Sequence, residues 1–194
     1  MRRVVLLILL ALMVVSATAW ADLIVVNKNG SITIGPSGIT SKGSHLIQFG
    51  HVQGTGLGVV NYSTGALISG SIQSGGVFSS TGSSFTVIGT GKGVPHGVLF
   101  SGTFTGNINW TFVGQVGKQL QYQLTGTLVG QLFNGRTVTG TTVQNIYSYQ
   151  SQLNNGIGHI TLGTTTFVPE PGTLGLLGTG LVGFARLWRR KLIA

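Results

Sequence analysis

The side chains able to do chemistry in this chain are few and poorly placed for it. Its 194 residues include two carboxylates, Asp22 and Glu170, four histidines, His45, His51, His96 and His159, and no cysteine. Glycoside hydrolysis needs a pair of carboxyl groups within about 10 Å of each other. The two present here stand at opposite ends of the body of the chain. A Ser-His-Asp triad lacks its acid, no Gly-x-Ser-x-Gly elbow occurs, and no thiol can serve as nucleophile. A calcium site would have to do without the carboxylates that hard cations prefer. His45 and His51, six residues apart, would share one face of a strand, but Gly50 between them predicts a turn. Gly54 to Gly58 and Gly89 to Gly93 read as turns rather than nucleotide loops. The first leads into Val59-Val60 instead of a helix, and the second lacks a Ser or Thr after Lys92. The expectation is a protein that is not an enzyme, with no cofactor and no bound metal.

Aromatic rings are the remaining handle. Trp110, Tyr122, Tyr147 and Tyr149 are the residues on which sugar rings could stack, with Asn and Gln supplying hydrogen bonds. Trp110 shares a face with Ile108 and Phe112 and is assigned to the core. Tyr147 and Tyr149, beside Gln150 and Gln152, are the candidate glycan contacts. In a structural protein without a dedicated sugar site, losing both rings should cost less than about 1 kcal/mol of polysaccharide binding. A loss of about 2 kcal/mol would mark a hot spot.

The elements that must carry these rings are strands. Between Asp22 and Val168, 147 residues suffice for one domain with its own core. Period-two alternation is frequent and helical periodicity is scarce. From Asn107 to Val113, Ile108, Trp110 and Phe112 point one way and Asn109, Thr111 and Val113 the other; Leu120, Tyr122 and Leu124 alternate with Gln121, Gln123 and Thr125. Asn29-Gly30 and Asn134-Gly135, which tolerate positive φ, predict tight hairpins. Further turns are predicted at Gly35-Pro36, Gly75-Gly76, Gly91-Lys92-Gly93, Gly106-Asn107, Gly117-Lys118 and Asn154-Asn155-Gly156. Gly102-Thr-Phe-Thr-Gly106 is weakly echoed in Gly126-Thr-Leu-Val-Gly130, too briefly to define a repeat. The fold class expected is all-β, an antiparallel β-sandwich of Greek-key or jelly-roll type, with a β-solenoid as the alternative. Without cysteine, stability rests on the core and not on disulfides.

The two ends read as addresses. Arg2 and Arg3, the apolar run Val4 to Val15 and the small residues ending at Ala19 and Ala21 make a secretory signal peptide, 1–21, cut after Ala21 or Ala19 by the general secretion route. Those 12 apolar residues, at about 1.5 Å each, cannot span about 30 Å of hydrocarbon. At the other end, Pro169-Glu170-Pro171 precedes an apolar stretch, 173–187, and the cations Arg186, Arg189, Arg190 and Lys191. Cations are costly to move across a bilayer, so this end stays cytoplasmic and the body faces outward. The prolines fix φ and extend the residues before them, which makes the triplet a stiff spacer. The 15-residue helix, with four glycines, would be short for a permanent span. The signal peptide and the segment after Pro171 also carry 6 of the 11 basic residues, so the formal charge falls from +9 for the chain to +3 for residues 22–171, whose cations are scattered. Nothing there would track a phosphate backbone, and nucleic acid is excluded as a partner.

The order of triplet, apolar helix and basic end from Val168 to Lys191 resembles the PEP-CTERM sorting signal. The resemblance covers about an eighth of the chain and implies that Pro169, Glu170 and Pro171 are recognised by an exosortase, a membrane-embedded processing enzyme. It further implies a transient stay in the inner membrane, with Arg186, Arg189, Arg190 and Lys191 as the cytoplasmic stop, before release to the cell surface or beyond. The domains expected are therefore the signal peptide 1–21, a secreted all-β domain 22–168 and the sorting signal 169–194. Family context implies a structural or adhesive role in an extracellular matrix with exopolysaccharide. A specific glycan-binding module is the alternative.

Overall fold

The computed structural model describes residues 22–169, which form one compact unit. The signal peptide, Glu170, Pro171 and the apolar and basic segments after them lie outside the described residues.

The described residues run through eleven strands and one short helix: β1 (Leu23–Lys28), β2 (Gly30–Gly35), β3 (Gly38–Phe49), β4 (Val52–Ser63), β5 (Leu67–Ser71), β6 (Gly75–Phe78), β7 (Ser84–Gly89), β8 (Gly97–Val116), β9 (Gln119–Leu132), β10 (Thr137–Tyr149), α1 (Gln150–Asn154) and β11 (Ile157–Pro169). Every pairing is antiparallel, and the circuit β1-β3-β4-β7-β8-β9-β10-β11 returns to β1. The domain is thus a closed barrel and neither a sandwich nor a solenoid. Alternation and turn spacing are the same in a sandwich and a barrel. Closure is decided by two long-range pairings, Leu23 with Phe167 at the two ends of the domain and Phe100 with Leu132. Long strands broken by bulges, as at Val26/Asn27, Thr105/Asn109 and Asn145/Ile146, supply the bending that lets one sheet close on itself.

One further piece extends this wall. β2 continues the line of β1, pairing with β11 and β3 in its turn. Asn29-Gly30 is therefore a break within one line of strand and not the expected hairpin. Asn29 does take positive φ (55°), the only residue besides glycine to do so among those described. Asn134-Gly135, the same dipeptide, does turn the chain: Gly135, at φ 78°, donates its N–H to Leu132 O (2.8 Å) and Asn134 Oδ1 accepts from Arg136 N–H. Three other expected turns are absorbed into strands. Gly106 is a bulge of β8, Gly75-Gly76 opens β6, and Gly54 to Gly58 lies within β4.

Inward-facing residues fill the barrel. A network of rings joins Tyr62 and Phe85, stacked at 5.9 Å, to Phe100 and Phe104, and Phe100 lies 4.2 Å from Phe167. Such pairs contribute about 0.5–1.5 kcal/mol each beyond their burial. The echoed Gly-rich segments face each other on β8 and β9, Gly102 against Gly130. A Cβ at these positions would stand 2.7 and 2.8 Å from the Phe100 ring, so the ring occupies the space the glycines leave. Elsewhere the interior is polar. Asn27 Nδ2 donates to Ser44 Oγ (2.7 Å) and Gln144 Oε1 (3.0 Å), Gln144 Nε2 donates to Thr142 Oγ1 (2.9 Å), and Thr142 meets Thr165 (2.8 Å). All five side chains are fully buried and uncharged, and their mutual bonds offset the desolvation that isolated polar groups would suffer.

Outside, β8 to β11 contain no Asp, Glu, Lys or Arg; Lys118 and Arg136 sit in the intervening turns. Thr103, Thr105, Thr125, Thr127, Thr139 and Thr141 are prominent on this neutral face.

Candidate functional site

Two regions hold the residues singled out by the sequence. The first is the end of β11. Pro169 is its last residue and pairs with Val138, and Phe167, two residues earlier, is fully buried against Phe100. The first proline of the triplet therefore belongs to the barrel wall, where a free spacer was expected. Glu170 follows without any linker in the sequence.

The second region is aromatic, and the four rings divide between inside and outside. Trp110 is core, as expected, and Tyr122 joins it: the rings stack at 4.5 Å with 6° between planes, each about 1 % exposed. Trp110 Nε1 donates to Ile72 O (2.8 Å) and Tyr122 Oη donates to Gln73 O (2.8 Å), so the segment between β5 and β6 covers the pair. Burial raises the Tyr122 phenol pKa above its ordinary value. Phe112, assigned to the same inward face, is 40 % exposed. The pairing of β6 with β8 reaches only Gly75–Thr111, and beyond it β8 has a neighbour on one side alone.

Tyr147 and Tyr149 are on the outer wall, edge to face with centroids 6.4 Å apart. Tyr149 Oη accepts from Gln119 Nε2 (3.0 Å). Tyr147 has a second ring neighbour that the sequence did not offer, His159, its register partner on β11, at 5.2 Å. His159 pairs in turn with Ser31 on β2, so Tyr147, His159 and Ser31 form a row across three strands. Beside that row the wall is interrupted twice. Asn29 breaks the line of β1 and β2, and β11 carries an extra residue, Thr161, between Ile160 and Leu162, which oppose Ile146 and Asn145. The interruptions face each other through the Asn29 N–H, which donates to Ile160 O (3.1 Å). A shallow notch of about 280 Å³ results, lined by Asn29, Ser31, Tyr147, His159 and Thr161. Only the sequence-remote pairing of β2, β10 and β11 brings these together, although the positive φ expected at Asn29 was a usable signal.

The other histidines do not converge. His45 lies on β3 while His51 follows Gly50 (φ 60°) in the turn to β4. Among the described residues no three His, Asp or Glu side chains gather in a metal-binding group, and no helix is long and apolar enough to cross a membrane.

Residues 167–191 match the PEP-CTERM protein-sorting motif. The match spans the triplet Pro169-Glu170-Pro171, the apolar run and the basic end, and begins inside the barrel at Phe167. A chain bearing the PEP-CTERM motif carries a C-terminal sorting signal for export and for processing by exosortase, a membrane enzyme. No curated protein and no solved structure matches the chain.

Proposed function

We propose that this is an exported protein that an exosortase-like enzyme processes and delivers to the cell surface or the extracellular matrix, where it has a structural or adhesive role alongside exopolysaccharide. The PEP-CTERM motif, joined without a linker to a closed barrel, carries this reading. The neutral outer face of β8 to β11, rich in hydroxyls and amides, supports association with a carbohydrate polymer over association with nucleic acid or an anionic surface. A non-enzymatic role is supported by the small carboxylate inventory, two in the whole sequence, Asp22 and Glu170. The general secretion machinery and, transiently, the inner membrane are the partners on the way.

Mass spectrometry of the extracellular form tests the reading. It should lack both the first 21 residues and the Leu174 to Lys191 segment. Recovery of an intact C-terminus outside the cell would sink the proposal. The rival reading, a specific glycan-binding module, draws support from the half-buried Tyr147–His159 pair on the outer wall.

A further inference from the structure

We propose that the notch where β1, β2, β10 and β11 meet is a subsite for one neutral pyranose unit of a polysaccharide. The inference deepens the carbohydrate association proposed above and rests on it. Three independent features coincide there. Asn29 holds a left-handed conformation (φ 55°), Thr161 is an inserted bulge residue, and Tyr147 and His159 present two rings inclined at 30° as a composite π surface on the outer wall. Left-handed residues and bulges in a barrel wall re-aim side chains, and they concentrate where a protein meets ligands.

The lining chemistry selects the class of ligand. The rings offer an apolar platform for the C–H face of a sugar. Asn29 supplies an amide, and Ser31 and Thr161 supply hydroxyls, so donors and acceptors stand at the margin of the platform as sugar hydroxyls require. No carboxylate, Lys or Arg lines the notch itself, and Lys42, opposite Ser31 on β3, stands outside its lining. Its volume, about 280 Å³, suits a single sugar ring, and its open form suits a unit within a longer chain. Tyr149 is excluded from the subsite because its hydroxyl is engaged with Gln119 and it does not line the notch.

The processed extracellular protein, titrated with cellohexaose, mannohexaose and hexagalacturonate, tests this by the NMR shifts of the Tyr147 and His159 ring protons. At least one neutral hexamer should shift both rings saturably, and hexagalacturonate should not. Tyr147→Ala should weaken that binding about tenfold, and Tyr149→Ala by less than about threefold. Asn29→Gly, which keeps the left-handed backbone and deletes only the amide, should weaken it about threefold or more at unchanged thermal stability. Saturable shifts with hexagalacturonate alone, or equal losses in Tyr147→Ala and Tyr149→Ala, would overturn the subsite. Retention on the cell's own exopolysaccharide that survives both Tyr147→Ala and Asn29→Gly would remove the notch and leave the proposed role standing. No retention even of the native protein would remove both.

Discussion

In the tail, three residues in fixed order, an apolar run and a basic end amount to a message that composition cannot alter without loss. In the barrel, Val, Leu, Ile and Phe at alternate positions build a wall that many other sequences would build as well. The difference teaches where selectivity resides. The tail acts through a few groups presented to an enzyme, and single substitutions there should be all-or-none. The barrel acts through the sum of many contacts, so substitutions in it should be graded.

Replacing Glu170 with Ala should have the largest effect: uncut protein accumulates at the inner membrane, seen by immunoblot of membrane and extracellular fractions, while the barrel folds as before. If the variant reaches the medium fully processed, the tail is not read at this residue and the contrast collapses. Next comes Trp110→Ala, which removes a ring stacked at 4.5 Å in a covered site and should cost about 3–5 kcal/mol in urea unfolding. A cost under about 1 kcal/mol would mean that the barrel tolerates even its best-packed positions.

The smallest effect concerns Tyr62, fully buried opposite Ser41 on the neighbouring strand. Burial pushes its phenol far above the ordinary tyrosine range, the Ser41 hydroxyl pulling slightly the other way. Because the folded value lies above the unfolded value of about 10, stability is fully present below pH 10. It declines as the pH rises from there toward the folded value, by up to about 1.4 kcal/mol per unit. Tyr62→Phe should be near neutral at pH 7 and should flatten this alkaline loss, as measured by thermal melts from pH 8 to 11.

Local signals were legible where the outcome was local. The strands around Ile108 and Leu124 followed from alternation, and Asn134-Gly135 turned as its chemistry predicts. Asn29-Gly30 carried the same local signal to a different end, because β2 finds β11 and β3 as partners in line with β1. No neighbouring residue announces that choice. Closure itself depends on Leu23 meeting Phe167, a contact between the two ends of the domain that no periodicity encodes. Of the candidate glycan contacts, Tyr147 and Tyr149 did reach the surface, yet the histidine that completes the ring pair lies on the next strand, after α1 has turned the chain.

Closure also bears on aggregation. Segments rich in Thr, Gln and Val with almost no charge are what cross-β stacking favours when their strand edges are free. Here each strand except β5 has a neighbour on both sides for at least part of its length, and β5 is five residues long with Gly70 at φ 80° within it. The sequence that keeps the outer wall neutral would be hazardous in an open sheet. In a barrel it leaves little template for another chain, and copies can be crowded together without joining strand to strand.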